Sequence, residues 1–158
     1  MAKWGSCDFQ QLKNLQKNLR RLSDADMTTF CEDCYKELAA RLLALVIPRT
    51  PVGKYPKSSG KKGGTLRRGW GAKNGAEAVS CANSLKVSKV GNSYMIEIIN
   101  PVEYASYVEY GHRTRGSAGW VNGRYMLTIS EEKLQQMTPA ILERKLQAKL
   151  KEVLQCLR

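Results

Sequence analysis

Cys31 and Cys34 make a C-x-x-C, the spacing used in thiol–disulfide exchange and in one half of many zinc sites. No second C-x-x-C follows, the single histidine is His112, and Cys7, Cys81 and Cys156 are scattered. Both spaced cysteines also fall on the apolar stripe of a helical stretch. The expectation is core packing, because a free cysteine behaves as a small buried hydrophobe. His112 follows Gly111 and is expected to be exposed; as a general base it needs an orienting carboxylate and a nucleophile beside it. Glu103 and Glu109 are near it in sequence alone, and a loop or interface contact accounts for it more simply. The G-K-K-G-G run around Lys61 has the composition of a phosphate loop without the G-x-x-x-x-G-K-S/T order. No catalytic, cofactor or metal residues are expected from this set.

The cations are a stronger signal. The formal net charge is +12, which favours anionic surroundings without saying anything about fold. From Arg49 to Lys73 there is no Asp or Glu, while Lys54, Lys57, Lys61, Lys62, Arg67 and Arg68 all fall inside. With Arg113 and Arg115, and with Arg124 further on, they could hold phosphates through a salt-dependent, sequence-independent attraction. Tyr55, Trp70 and Trp120 lie among them and could stack on bases. The same mixture suits a protein interface, where aromatic and arginine anchors carry much of the energy. Interface, nucleic-acid contact and plain solvated charge all stay open on this reading.

Several elements must position these residues. Phe9, Leu12, Leu15, Leu19 and Leu22, spaced 3, 3, 4 and 3, predict a first amphipathic helix. Ser23 or Asp24 can cap a second, in which Met27, Cys31, Cys34, Leu38, Leu42 and Leu45 recur at 4, 3, 4, 4 and 3, with Phe30 and Val46 widening the stripe. Pro48 should end it near Ile47. The centre K-Y-P-K-S-S-G-K-K-G-G predicts a mobile basic loop over about 49–66. Order should return between Leu66 and Trp70.

Ala76–Ala82 reads as a short strand, and Leu85–Val90 with Tyr94–Ile99 as a hairpin turning at Gly91-Asn92. Asn100, Pro101 and Glu103 form a helix-start signature. Tyr104, Tyr107 and Val108 then share one face, and Gly111 stops the helix. A Gly- and Arg-rich loop carries Trp120. Thr138-Pro139 reads as a second start, with Leu142, Leu146, Leu150, Val153 and Leu157 recurring to the terminus.

The sum is one α+β domain over 1–158: long N-terminal helices on a small antiparallel sheet, a short central helix, a C-terminal helix and a long basic loop. The apolar fraction of 42% is that of a globular protein. No stretch reaches the roughly 20 apolar residues of a bilayer span, so no membrane partner is expected. The start M-A-K-W-G-S-C-D has no apolar signal segment, and the odd cysteine count gives no complete disulfide framework. Work inside the producing cell, or incorporation there into something larger, is the expectation.

P-V-G (51–53), T-L-R-R-G-W (65–70), I-E-I-I-N-P-V-E-Y-A-S-Y-V-E-Y-G-H-R-T (96–114) and G-W-V-N-G-R-Y-M-L (119–127) together resemble the HK97 gp10-like family. Its members are small tail or neck components of long-tailed bacteriophages and prophages. Tyr104, Ala105, Tyr107, Val108, Glu109 and Gly111 match the central motif of that family, and Leu66, Arg67 and Trp70 its upstream one. Two departures are visible: a longer Lys- and Gly-rich insert between Pro51 and Leu66, and Gly69 where serine is common. The resemblance implies a structural protein without enzymatic activity or cofactor. It implies head–tail joining or tail completion in a ring of copies, with neighbouring neck or tail proteins as partners and weak DNA contact as an option. The implied place is the virion head–tail interface or tail, after synthesis in the bacterial cytoplasm. Leu66, Arg67, Trp70, Tyr104, Tyr107, Glu109, Gly111, His112 and Trp120 are then the expected assembly residues.

Overall fold

A computed structural model describes residues 25–155 apart from 73, 75, 92, 115, 117 and 118. The first amphipathic stripe, the Ser23 or Asp24 cap, Cys7, Cys156 and Leu157 lie outside the described residues, as do Lys73, Asn92 and Arg115. The chain is α+β. Helix α1 (Ala25–Arg49) is followed by a 3-10 turn (Lys57–Ser59), α2 (Thr65–Arg68) and α3 (Ala78–Ser84). Strands β1 (Val87–Val90) and β2 (Ser93–Ile96), helix α4 (Ala105–Tyr110), strands β3 (Gly111–Arg113) and β4 (Trp120–Asn122), and helix α5 (Met126–Gln155) complete it.

The core runs along α1, on a face only partly shared with the expected stripe. Cys34 and Val46 of that stripe are buried, but so are Ala39, Ala40, Leu43 and Ile47 beside it, whereas Met27, Cys31, Leu38, Leu42 and Leu45 are only half-buried. The reason is close approach. Ala78 and Ala82 of α3 are fully buried against α1, and small side chains on both helices let the backbones come near. The stretch read as a strand at Ala76–Ala82 is therefore helical from Ala78, because two alanines four apart make one helix face.

Pro48 does not end α1 at Ile47; the helix carries it in its last turn and runs to Arg49. Only one helical bond is forfeited there, and other groups occupy the terminal carbonyls. Arg49 Nη1 donates to the Leu45 carbonyl at 2.7 Å, and the Thr50 hydroxyl to that of Val46 at 2.8 Å. Arg67 crosses from α2 to donate to the carbonyls of Thr50, at 2.7 and 3.1 Å, and of Pro48, at 3.4 Å.

The hairpin pairs Val87 with Ile96 and Val90 with Ser93 across Gly91, whose φ of +60° suits a residue without a Cβ. It has two strands, and β2 stops at Ile96 short of the expected Ile99. Tyr94 docks it on α1: its ring stands 6.1 Å from that of Tyr35, and its hydroxyl meets Thr28 Oγ1 at 3.3 Å.

Helix α5 runs antiparallel to α1. Thr138-Pro139 starts no new helix, because α5 is continuous through Pro139 and the Thr138 hydroxyl donates back to the Leu134 carbonyl at 2.8 Å. The two helices are tied by Glu37, whose carboxylate meets Lys145 at 2.7 Å and Arg41 at 2.7 Å. The hydrogen bond from Lys145 is the first cause holding the Glu37 carboxyl below the ordinary carboxylate range, ahead of the opposing effect of burial and the help from Arg41.

A lowered folded pKa means the contribution is present above the ordinary glutamate value of about 4.3 and is lost as pH falls through the lowered value. The pair is partly exposed, so Lys145→Met should cost under about 1 kcal/mol at pH 7. In thermal melts the gap between variant and wild type should close as the solution is acidified below the glutamate range. A gap that is the same at both ends of the titration would show that Lys145 acts by packing alone.

Candidate assembly surface

The helix-start signature at Asn100 builds something other than a helix start. Helix α4 begins only at Ala105, after a turn over Glu103 and Tyr104. Asn100 instead bridges two segments: Nδ2 donates to the Leu66 carbonyl at 2.9 Å, and Oδ1 accepts from the Val102 amide at 3.2 Å. This crossing explains Gly69. A Cβ there would stand 2.2 Å from Asn100 Oδ1, so a serine at this position requires Asn100 to move.

Glu109 was expected on an assembly surface, and the structure buries it. One carboxylate oxygen accepts from the Leu127 amide at 3.0 Å; the other accepts from the Thr128 amide at 2.9 Å and the Thr128 hydroxyl at 2.8 Å. These are open N–H groups at the start of α5, where negative charge is favoured. In return the amides of Arg124 and Tyr125 donate to the carbonyls of Val108 and Glu109, at 2.8 and 3.0 Å. The end of α4 and the start of α5 therefore cap each other. Tyr125, at the joint, holds φ +47°, uncommon for a residue with a Cβ.

The loop expected around Trp120 is a second hairpin. Gly111 pairs with Asn122, His112 with Val121 and Arg113 with Trp120. Gly111 takes φ +87°, and a Cβ on it would lie 2.4 Å from the Val121 carbonyl oxygen. Gly123, just after β4, is constrained by close approach alone: a Cβ there would stand 2.2 Å from the Glu109 carbonyl oxygen. These contacts lay β3–β4 against α4.

The expected site residues thus divide. Leu66, Trp70 and Glu109 are inside, and Arg67 braces the end of α1. Tyr104, Tyr107 and Trp120 are 45%, 58% and 58% exposed on α4 and its hairpin. Tyr110 and Val121, which the sequence reading did not single out, are exposed on the same two elements. The signal for Tyr110 is the Y-x-x-Y-x-x-Y spacing of 104, 107 and 110; Val121 has none. Tyr104 and Val108 also line a groove of about 300 Å³ with Pro51, Val52, Tyr55 and Lys62, so the aromatic face borders the basic loop.

His112 is half-buried rather than exposed, edge-on to Tyr107 at 5.8 Å. Its Nδ1 is buried without a hydrogen-bond partner among the described residues, so neither Glu103 nor Glu109 orients it there. Cys34 is buried, and desolvation pushes its thiol above the ordinary range, which makes a weaker nucleophile. Among the described residues no cluster of His, Cys, Asp and Glu has the makings of a metal site. No helix among them is long and apolar enough to cross a membrane.

The fold and its surface define an α+β protein that presents an exposed aromatic face beside a cationic loop. Residues 13–111 match the family model described as bacteriophage HK97 gp10, a tail-component family, and the chain belongs to that family. Neither a search of curated proteins nor a search of solved structures returned a match. Membership makes this a phage tail-related structural protein, associated with the virion.

Proposed function

We propose that the chain is a non-enzymatic component of the head–tail joint or of tail completion, closing into a ring through the face made by α4 and the β3–β4 hairpin. The observation that carries this reading is the exposure of Tyr104, Tyr107, Tyr110 and Trp120 along α4 and the hairpin, which the α4–α5 caps bracket. Aromatic side chains lose little freedom when they dock, and they dominate the hot spots of protein interfaces. A face of this kind that meets a different face of the next copy generates a ring where the rotation between copies closes, and that closure is part of the proposal. Neighbouring neck or tail proteins would stack on the ring.

Light scattering and electron microscopy of the purified protein test it, together with the joining of heads to tails in a phage carrying the variant. Wild-type protein should give a discrete ring. The double variant Tyr107→Ala with Trp120→Ala should remain a monomer of unchanged melting temperature and leave heads and tails unjoined. Each truncated hot spot costs about 2 kcal/mol, roughly 30-fold in affinity. A double variant that assembles and joins like wild type would exclude this face.

A further inference from the structure

We propose that the loop from Gly53 to Gly63 is a built, sequence-independent DNA contact, in which Lys54, Lys57, Lys61 and Lys62 hold duplex phosphates. The loop is closed at its neck. A Cβ on Gly63 would stand 2.0 Å from the Gly53 carbonyl oxygen, so the two backbones touch and the residues between them form a compact Ω-loop. Inside it, the Ser59 amide and hydroxyl donate to the Pro56 carbonyl at 3.0 and 2.7 Å. Gly60 makes the turn at φ +63°.

The base is clamped as well. Arg67 grips the end of α1, and Arg68 donates to the Gly63 carbonyl at 3.3 Å and to Thr65 Oγ1 at 3.4 Å. The arginines of the segment thus hold the loop, and the lysines are left to face outward. All four are exposed, and none forms an ion pair among the described residues. No acidic residue occurs between Arg49 and Lys73 to neutralise them.

The chemistry favours DNA over an acidic protein. An ammonium on a long stem is a hydrated point charge without the planar fork that fixes one partner geometry. Four of them on one small loop suit a row of equivalent phosphates, where exchange between neighbours costs little. The aromatic anchors that a protein partner would use lie on α4 and its hairpin instead, apart from Tyr55, which packs over Gly53. The inference deepens the tail-component reading and rests on it only for the source of the DNA, the genome passing the joint. Binding itself is measurable on the isolated chain.

Fluorescence anisotropy of a labelled duplex of arbitrary sequence, titrated with full-length protein across salt, is the test. Four phosphate contacts give a slope of about −3.6 in log K against log salt, a loss on the order of 100-fold between about 50 and 200 mM. Replacing the four lysines by glutamine should lower affinity at low salt by at least about 30-fold and flatten the slope, at an unchanged melting temperature. Removing three exposed cations of α5, with Lys133→Gln, Arg144→Gln and Lys151→Gln, should leave affinity within about twofold, because those charges are not in the loop. Wild-type protein that does not bind at low salt, or a loop variant that binds like wild type, overturns the proposal. Loss of head–tail joining in the loop variant without DNA binding by the wild type would overturn it in favour of an acidic protein partner. Failure of the ring with DNA binding intact would overturn the assembly reading alone.

Discussion

Trp70→Ala should destabilise the protein by about 4 kcal/mol and lower its melting temperature by roughly 10 °C. The indole is 5% exposed and packs with Leu66, Ala72 and the α1 core. Truncation removes that burial and leaves a cavity that the alanine-lined seam between α1 and α3 has no long side chain to fill. It also removes a hydrogen bond. Trp70 Nε1 donates at 2.8 Å to Thr50 Oγ1, which itself donates to the Val46 carbonyl. Thr50 is the first residue after α1, so this contact holds the incoming strand of the basic loop to the outgoing one. Trp70→Phe separates the two contributions. It keeps the ring in the core and should cost only about 1–2 kcal/mol, from one lost hydrogen bond and a small void. Denaturant melts of both variants decide it. Equal losses would show that the indole N–H, and not the packing, is the main term.

How far such contacts could be read in advance depends on whether they are local. The long α1, the hairpin at Gly91, the short helix after Tyr104 and the return of order at Leu66–Trp70 follow from spacing and turn chemistry, which act within a few residues. The buried face of α1 lies partly off the stripe, and a leucine stripe is more conspicuous in sequence than Ala39 and Ala40. Which face is buried was decided by α3, an element some forty residues away in sequence that was itself read as a strand. Pro48 and Pro139 were read as boundaries for a similar reason. A proline forbids one backbone bond, and whether the helix ends there depends on how the turns on either side of it are held and packed. Arg67 holds the carbonyls of Pro48 and Thr50 at the end of α1, and the Thr138 hydroxyl holds that of Leu134 in the turn before Pro139.

The candidate surface was partly legible for the same reason. The central motif marked α4 and its neighbourhood, but a motif contains both the residues that build an element and those that face outward. Spacing separates them only for Tyr104, Tyr107 and Tyr110. Glu109, one position from the exposed Tyr110, is expected at the surface with the rest of its motif, and nothing near it in sequence announces a partner for a buried carboxylate. Its partners are the amides of Leu127 and Thr128, across the whole second hairpin. Trp70 and Leu66 belong to the upstream motif as builders of the core.

Glu109→Ala should cost about 3 kcal/mol, and its consequences should spread to two elements at once. The carboxylate satisfies two amides and one hydroxyl at the start of α5, and bonds to a charged acceptor are worth about 1.5–3 kcal/mol each before the cost of leaving donors unpaired. Part of this is recovered if water enters beside the vacated site. Glu109→Gln keeps one carbonyl oxygen but turns an NH2 group toward amides that also donate. It removes the charge that favours the helix start, so it should cost about 2 kcal/mol despite its near-identical shape. A purely steric role predicts no loss for glutamine. Amide hydrogen exchange locates the effect: Leu127 and Thr128 should lose protection first, in both variants, while the α1 core keeps its own. Because the α4 carbonyls and the α5 amides are joined through the same few residues, loosening the start of α5 also frees α4. The aromatic face carried by α4 should then bind less well although no side chain on it has changed. If assembly fails in Glu109→Gln at a temperature where α5 amides are still protected, the carboxylate itself touches a neighbour. If assembly and protection are lost together, Glu109 acts by holding Tyr104 and Tyr107 in place.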